Sequence, residues 1–552
     1  MEDFEAVMGS DLPDLNESLS LIKEYAVAVS GGLDLFDEAS ISENVHAWLD
    51  DPIRSRWPNC SIFHLVLAIG AQARARGYQD DHFAEQQFIQ GRDHAMKSLI
   101  DDPSIVTVQA FSLITWYMLT ASRRNGATMN LGFAVQAAYA LGIHRHEANT
   151  SFGPEMAHLR ERAWKTLRVC DLFLSASMGR PSITSRIDSN IPLGASSLTD
   201  ANNRLASAMT RICLIFERIM SEVYTKRAVS LELATSISKQ HRKWTEALPG
   251  MLEADGISPE ESPGPVDLSK TLGSAIVVMA YHYSIILLTR PFLTFRVNSH
   301  IKNPGSWPDK PGIRPDIITY SDACVTSAIN GIGLACDILS YNNMPRRLHL
   351  VVNSVFISAL VLGLAYFGDY HCHGWSLDQA LVQAIGVLQH FGAKSHQAAR
   401  YQQIIGFLQD ATVLYKDKHR EDKMKSYNQR TNTVFGNVSA QLDRGRISTI
   451  RSNPECQTEA ASSMVNSEMG FTDAASSGFG NLDGVLQSSM ITTSGKLAPT
   501  QSRQEGLLFA QHSTDENGFD TFMDDMLGNT HGDPPFMEDG PLFALMHEYY
   551  PI

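Results

Sequence analysis

Side chains that could bind a metal ion occur in two short segments of the chain. His144 and His146 are separated by one residue in the sequence HRH, and His371, Cys372 and His373 are consecutive. Imidazole and thiolate groups are ligands that zinc prefers, but a structural zinc site usually needs four of them. No CxxC pair completes either segment. We therefore expect solvated or capping residues here, and no metal or cofactor site in this chain.

A carboxylate and a guanidinium group, those of Asp171 and Arg180, could act as an acid and a base in catalysis. Charged residues near a helix end more often serve that end or form a structural ion pair. We therefore predict a contact between Asp171 and Arg180 with a structural role. The nucleotide and hydrolase motifs GxxxxGK[ST], GxSxG and strand-linked GxGxxG are not found, so the sequence predicts no enzyme.

The elements that must position these residues are helices. Between residues 15 and 415 apolar residues recur every three or four positions, which predicts an all-α fold with a large multi-helix domain. Two segments rich in Pro and Gly, at 256–265 and 303–315, are predicted to be loops inside that domain. The predicted helices cover 62–75, 105–120, 128–143, 155–178, 203–223, 231–248, 271–288, 317–339, 350–366, 377–391 and 398–415.

The segment 127–146 is predicted to form a buried helix. Leu131, Val135, Ala138 and Leu141 fall on one face. Small residues between them are expected to let a neighbouring helix approach closely; they are Gly132, Ala134, Ala137 and Ala140.

The next helix has unusually clear start and stop signals. Pro154 suits a first turn, Gly179 can adopt the left-handed conformation that ends a helix, and Pro181 does not continue it. Trp164 lies on the apolar stripe of this helix and is predicted to pack against the preceding helix.

The two helices carry a pattern that resembles the middle homology region of fungal zinc-cluster transcription factors. The pattern reads GxAxxxAxxLGxH followed by RxxxWxxLxxxDxxxSxxxGRP. Its residues in this chain are Gly132, Ala134, Ala138, Leu141, Gly142, His144, Arg160 or Arg162, Trp164, Leu167, Asp171, Ser175, Gly179, Arg180 and Pro181. The resemblance implies a nuclear regulator whose helical domain senses a small-molecule effector or an inhibitor protein, and which often forms a homodimer or heterodimer.

One feature of that family is not found in this chain. Its members usually carry six cysteines in paired CxxC spacing, which hold two zinc ions and place basic residues on DNA. The seven cysteines here are scattered, which is typical of a reduced intracellular protein. DNA binding and zinc are therefore implied by the family only. Either a cysteine cluster lies upstream in a longer form, or the protein regulates without binding DNA.

The charge and hydropathy of the chain restrict its partners. A net charge of -15 argues against a protein that coats nucleic acid or an anionic membrane. No apolar stretch long enough to span a bilayer is expected, so no membrane partner is predicted.

The last 42 residues differ from the rest of the chain. Segment 511–552 has six Asp and three Glu and neither Lys nor Arg. Helical spacing would place apolar residues on one stripe, as in amphipathic segments that bind a coactivator. The predicted anchors are Phe519, Phe522, Met523, Met526 and Leu527, with a second cluster around Phe536 and Phe543. The alternative is a tail that docks onto its own domain.

These observations divide the chain into four regions. We expect a flexible start at 1–14, the helical domain at 15–415, a disordered linker at 416–510 and the acidic activation segment at 511–552. The basic-leaning run 416–430 is either a nuclear import signal or a solvated helix end.

The favoured function is transcriptional regulation. Three alternatives remain: a partner or modulator of another transcription factor that binds no DNA, a helical scaffold unrelated to transcription, and an enzyme with a site hidden between helices.

Overall fold

The structure is a computed structural model that describes residues 12–184, 189–191, 201–226, 229–248, 267–302, 314–341, 343–368, 370 and 377–436. Every extended regular element within these residues is helical, which confirms the all-α fold class. The helices are α1 Leu15–Val29, α2 Glu38–Asp50, α3 Cys60–Arg74, α4 Tyr78–Asp101, α5 Ile105–Thr120, α6 Arg124–Ala140, α7 His146–Thr150, α8 Pro154–Met178, α9 Ala201–Ile219, α10 Leu231–Ala247, α11 Leu268–Lys302, α12 Pro315–Leu339, α13 His349–Phe367, α14 Leu377–Gly392 and α15 His396–Phe435.

Short polar side chains define the starts of several helices. Asp14 accepts a hydrogen bond from the N–H of Glu17 at the start of α1. Ser104 and Thr107 form a reciprocal capping box at the start of α5. Each bond satisfies a backbone donor that has no partner inside the helix, so these residues fix where the helices begin.

The N-terminal part of the core lies among α1, α3, α4, α5, α6 and α8. Helices α1 and α3 cross closely at Gly70, where a Cβ atom would lie only 2.1 Å from the carbonyl oxygen of Leu21. Helix α3 is buried almost all round, with Leu65, Val66 and Leu67 fully buried. It therefore forms the centre of this layer and has no solvent face that would show an amphipathic period.

The C-terminal part of the core is formed by α11, α12, α13 and α14. Helix α11 was predicted to end at residue 288 but continues past Pro291 to Lys302. Proline removes one helical hydrogen bond and usually bends a helix. Phe292, Leu293 and Val297 are buried immediately after it, so packing of the second half offsets the loss.

Three helices have the length and hydropathy needed to cross a membrane, namely α11 over Leu268–Ile301, α12 and α13. The expectation that no such stretch exists is therefore wrong. In the structure 72%, 50% and 83% of their apolar windows are buried inside the protein. An apolar helix that is buried on most sides has this composition for the same reason as a membrane span, since little of its surface faces water, and this applies to α11 and α13.

The described residues belong to two compact units, the first within Met1–Tyr415 and the second within Lys416–Thr521. The described part of the second unit continues α15 to Phe435, beyond the boundary predicted at 415. Its side chains are largely exposed, and Lys425 lies 3.5 Å from Asp422 and 4.0 Å from Glu421. Residues 416–435 are therefore a charged, solvated helix end, one of the two interpretations offered for this run.

Candidate functional site

The end of α8 has the geometry that its sequence predicted. Gly179 adopts φ +64°, and its N–H donates to the carbonyl of Ser175. Arg180 N–H donates to the same carbonyl at 3.1 Å. A residue with a Cβ atom is strained at this φ, which explains why glycine stands immediately before Arg180 and Pro181. The predicted left-handed cap is confirmed.

Asp171 organises the turn that follows this cap. Its side chain is 2% exposed and accepts hydrogen bonds from the hydroxyl of Ser182 at 2.6 Å and of Ser175 at 3.2 Å. It also accepts from the backbone N–H and the hydroxyl of Thr184, at 2.7 and 2.6 Å. Four donors therefore satisfy one buried carboxylate, which ties the segment after Pro181 back onto α8.

The predicted contact between Asp171 and Arg180 is wrong. Arg180 instead donates to the side-chain oxygens of Asn125 at 3.1 Å and Thr128 at 3.4 Å, both on α6. Both charged residues lie near the end of α8, as the sequence predicted. The carboxylate of Asp171, however, accepts hydrogen bonds from Ser182 and Thr184 and not from Arg180. Arg180 thus connects the end of α8 to the start of α6.

Trp164 joins α8 to α6 as predicted. It is fully buried, and its ring lies 5.6 Å edge-on from the ring of Tyr139 on α6. The indole N–H donates to the hydroxyl of Ser189 at 2.9 Å. An aromatic side chain that is both buried and hydrogen-bonded fixes its neighbours strongly, so Trp164 anchors the helix pair.

The small residues of α6 contribute unequally to this packing. Ala134 and Ala137 are buried. A Cβ atom at Gly132 would meet no atom within 4 Å, and Ala140 is exposed. The predicted close approach is therefore wrong for Gly132 and Ala140, because these two lie off the face on which Leu131 and Ala134 are packed.

Arg160 closes the C-terminal end of α6. Its guanidinium donates to the carbonyl of Leu141 at 2.6 Å and to the side-chain oxygen of Asn149 at 2.8 Å, and it lies over the ring of Phe152. Gly142 has φ +69°, which turns the chain away from α6. Arg160, and not Arg162, is thus the arginine that positions the LGxH segment, a distinction that the sequence left open.

The two histidines of the HRH segment do not converge on a metal position. His144 is buried beside Tyr139 and Trp164. His146 is half-exposed, and its Nδ1 lies 2.6 Å from Glu161. The HCH segment, residues 371–373, falls outside the described residues.

A cavity of about 230 Å³ lies between α1, α2, α8, α9 and the start of α11. The turn after α1 approaches α11 closely, since a Cβ at Gly31 would lie 2.8 Å from the carbonyl oxygen of Gly273, and Ser30 donates to the carbonyl of Ser269 at 2.6 Å. The backbone of this turn therefore forms a fixed wall of the cavity.

Charged side chains line the cavity. Arg162 forms ion pairs with Asp34 at 2.6 Å and Asp37 at 3.0 Å. Glu161 is paired with His146, and Asp267 lies 3.5 Å from Lys270. Two of the acidic residues that line the cavity, Asp34 and Asp267, therefore already have a cationic partner, and Glu161 is in contact with an imidazole.

Lys165 differs from the other cationic residues of the lining. Its amine makes no hydrogen bond or ion pair with any part of the chain that the structure describes. Burial lowers its pKa from the usual value, and the nearby carboxylates of Glu161 and Asp34 oppose that shift. Partial desolvation disfavours the charged form of the ammonium group, and the two carboxylates compensate for it only in part. An anionic group of a ligand beside the amine would add to the effect of these carboxylates, a feature that the sequence did not indicate.

Comparison with known proteins places this helix pair in a family domain. The model of the fungal specific transcription factor domain matches residues 59–248. Filamentous growth regulator 27 of Candida albicans is 23% identical over 465 residues, which cover 78% of this chain and 58% of that protein. Activator of stress genes 1 of Saccharomyces cerevisiae is 23% identical over 42% of this chain and 26% of its own length.

An acetamidase regulatory protein of Aspergillus oryzae is also 23% identical, over 51% of this chain and 35% of its own length. The chain thus spans less than two thirds of the length of these relatives. No solved structure matches it. The matched region contains the whole pattern from Gly132 to Pro181, which confirms the resemblance, and the chain carries the fungal specific transcription factor domain shared by fungal regulators of the zinc-cluster class.

Proposed function

We propose that the protein is a nuclear transcriptional regulator in which the helical domain, residues 15–415, controls whether the acidic segment 511–552 engages the coactivator machinery. The observation that supports it most is the α6–α8 pair, in which Trp164, Asp171 and Gly179 take fixed structural roles inside the matched family domain. The relatives' names describe regulators and an activator. DNA binding, dimerisation and zinc come from the family resemblance, and no reaction is proposed.

We also propose that the cavity beside Lys165 binds the effector of this domain. Its lining combines apolar residues of α1 and α9 with the amine of Lys165 and the paired guanidinium of Arg162. Pockets of this kind use a few polar groups to orient a small ligand. The partly desolvated ammonium group, which forms no ion pair within the described residues, favours a small carboxylate. Such a ligand would link α1, α8 and α11, and so change how firmly the domain is closed.

A reporter assay tests the regulatory function. We would fuse the chain to a heterologous DNA-binding domain and replace Phe519, Phe522 and Leu527 by Ala. Loss of reporter output with an unchanged melting temperature supports an activation segment, because the segment then matters to a partner and not to the domain. Thr521→Ala, which lies between the anchors, is the control and should leave output intact.

Two outcomes of that assay would contradict the proposal. A fall in melting temperature on replacing the three anchors would mean that the tail docks onto its own domain. A native fusion that never activates would favour a scaffold unrelated to transcription. The tail itself lies outside the described residues, so this part of the proposal depends on residue pattern and charge.

The alternative that the protein modulates another transcription factor without binding DNA is tested by measuring its affinity for DNA and for a related regulator. A chain that binds no DNA alone but co-purifies with a related regulator, and changes that regulator's output, would be a modulator. A chain that binds DNA in its native, full-length form would not need such a partner.

The effector proposal is tested by thermal unfolding with acetate, succinate and citrate. At least one carboxylate should raise the melting temperature of the native protein by mass action and should fail to do so in Lys165→Met. The matched control is Lys239→Met, at an exposed position of α10 outside the cavity. Equal stabilisation of native protein and Lys165→Met would exclude Lys165 as the binding group.

A further inference from the structure

Three side chains with metal-binding atoms meet at the start of α3. Cys60 and His64 lie on α3 and are buried, and His94 of α4 is half-buried. One ligand atom from each lies within 4.8 Å of the other two. Cys60 and His64 are four residues apart, so both project from one face of the helix, and that face is the one against which α4 packs.

The orientation of His64 is fixed by a second residue. Its Nδ1 lies 2.7 Å from the side-chain oxygen of Gln87, a buried residue of α4. Because that oxygen only accepts, Nδ1 carries the proton and Nε2 presents its lone pair. A metal-binding histidine typically has such an outer partner on its other nitrogen, which sets the tautomer and the ring angle.

The neighbouring rings restrict His64 further. Trp48 contacts it edge-on at 4.8 Å, and the ring of His94 stacks on it at 5.9 Å with an angle of 7°. Trp48, Gln87 and the ring of His94 therefore restrict the orientation of His64. Preorganised ligands reduce the entropy that metal binding costs.

We propose that Cys60, His64 and His94 bind a zinc ion. One thiolate and two imidazoles form a borderline-soft set that suits zinc, whereas magnesium and calcium need oxygen ligands. The half-exposed His94 leaves a fourth position open to water, as in zinc sites with three protein ligands.

The cluster needs only a small movement to accept the ion. Zn–N and Zn–S bonds of about 2.0 to 2.3 Å in tetrahedral geometry place ligand atoms roughly 3.5 Å apart. The largest allowed separation here, 4.8 Å, must therefore shorten by about 1 Å. Rotation of the half-buried His94 side chain is sufficient for such a change.

Binding has a defined proton balance. Zinc binds cysteine as the thiolate, so the Cys60 thiol must lose its proton when the ion binds. Zinc forms a bond to sulfur as the S–H bond breaks, and the proton passes to solvent. Both imidazoles donate a lone pair, and no redox partner is needed. One proton should be released for each ion bound.

Zinc at this position would join α3 to α4 inside the family domain. Metal bound only by the folded form adds its binding free energy to stability. The helical domain would then respond to zinc independently of the cavity beside Lys165, and independently of any upstream cysteine cluster.

The experiment uses the full chain, stripped with a chelator and titrated with Zn²⁺ against a chromophoric chelator. Native protein should bind one equivalent more than Cys60→Ser and His94→Gln, with circular dichroism showing that all three proteins are folded. His82→Gln, on an exposed position of the same helix, is the control and should bind as native protein does. Equal stoichiometry and affinity in native protein and His94→Gln would overturn the site.

Two further measurements identify the ligands. Co²⁺ should produce a near-ultraviolet thiolate charge-transfer band that Cys60→Ser lacks, and its presence in that variant would overturn the role of Cys60. Gln87→Leu keeps all three ligands but removes the acceptor for Nδ1. It should weaken zinc binding by about 10- to 100-fold; an unchanged affinity would contradict the proposed orientation of His64.

Discussion

The carboxylate of Asp171 is bound by Thr184 through both its backbone N–H, at 2.7 Å, and its hydroxyl, at 2.6 Å. Thr184 is itself fully buried. The two residues close the turn that contains Gly179, Arg180 and Pro181. The segment Gly179, Arg180 and Pro181 is therefore held in place by a buried hydrogen-bond network. The acceptor of that network, Asp171, lies two turns earlier in α8.

Asp171→Ala should destabilise the domain by about 3 kcal/mol, because it removes a charged acceptor and leaves buried donors without a partner. Arg180→Ala should cost less than about 1 kcal/mol, since its bonds to Asn125 and Thr128 are long or exposed. Chemical denaturation measures both. Because the two side chains have separate partners, the double variant should show coupling below about 0.5 kcal/mol. A large coupling energy would instead indicate that Asp171 and Arg180 form an ion pair.

Trp164→Ala should cost about 3 to 5 kcal/mol, the usual range for removing a large aromatic from a core. Trp164→Phe keeps most of the packing on Tyr139 but loses the bond to Ser189. It should therefore cost only about 1 to 2 kcal/mol. Thermal and denaturant unfolding measure both variants. A loss below about 1 kcal/mol for the alanine variant would mean that Trp164 does not anchor α8 to α6.

Gly70→Ala should destabilise the domain by at least about 1 to 3 kcal/mol, because its Cβ would meet the carbonyl oxygen of Leu21 at 2.1 Å and force α1 away from α3. Gly386→Ala is the matched control, since it is exposed in α14 and its Cβ meets nothing within 4 Å. That variant should gain about 0.5 to 1 kcal/mol from helix propensity alone. Equal melting temperatures for the two variants would contradict the close crossing.

The sequence predicted helices well where local signals agree. The segment Ile105–Thr120 was predicted to the residue, since Ser104 caps it and its interior is apolar. Helix α4 was missed because only one large apolar residue on its buried face, Phe88, is fully buried, whereas Phe83, Met96 and Leu99 pack against the core only in part. The other buried residues on that face are small or polar, namely Asp80, Ala84, Gln87, Gly91 and Ala95. The spacing of large apolar residues in a sequence does not reveal a helix that packs mainly through small side chains.

Site prediction succeeded and failed for a similar reason. Gly179 and Trp164 were identified because a cap and an apolar stripe are local properties of the sequence. By contrast, only the tertiary fold brings the hydrogen-bond donors to Asp171. The same is true of the cluster formed by Cys60, His64 and His94. The Cys-x₃-His spacing on α3 was available as a signal, but His94 belongs to the helix that was missed.

Acid should weaken the domain between pH 7 and 5, because three histidines, His64, His241 and His349, stay neutral when folded. Burial lowers the pKa of His64 and His241 to about 4 and that of His349 to about 3, against 6.5 in the unfolded chain. In this window the unfolded chain binds more protons, so stability falls as pH falls. The loss should be about 2 kcal/mol for each histidine. His241→Gln replaces a ring that contacts the hydroxyl of Ser284 at 2.8 Å and should remove no more than about a third of the pH dependence. Denaturant midpoints at pH 7, 6 and 5 measure the pH dependence of stability. If the variant showed the same pH dependence as the native protein, His241 would titrate in the folded protein as it does in the unfolded chain.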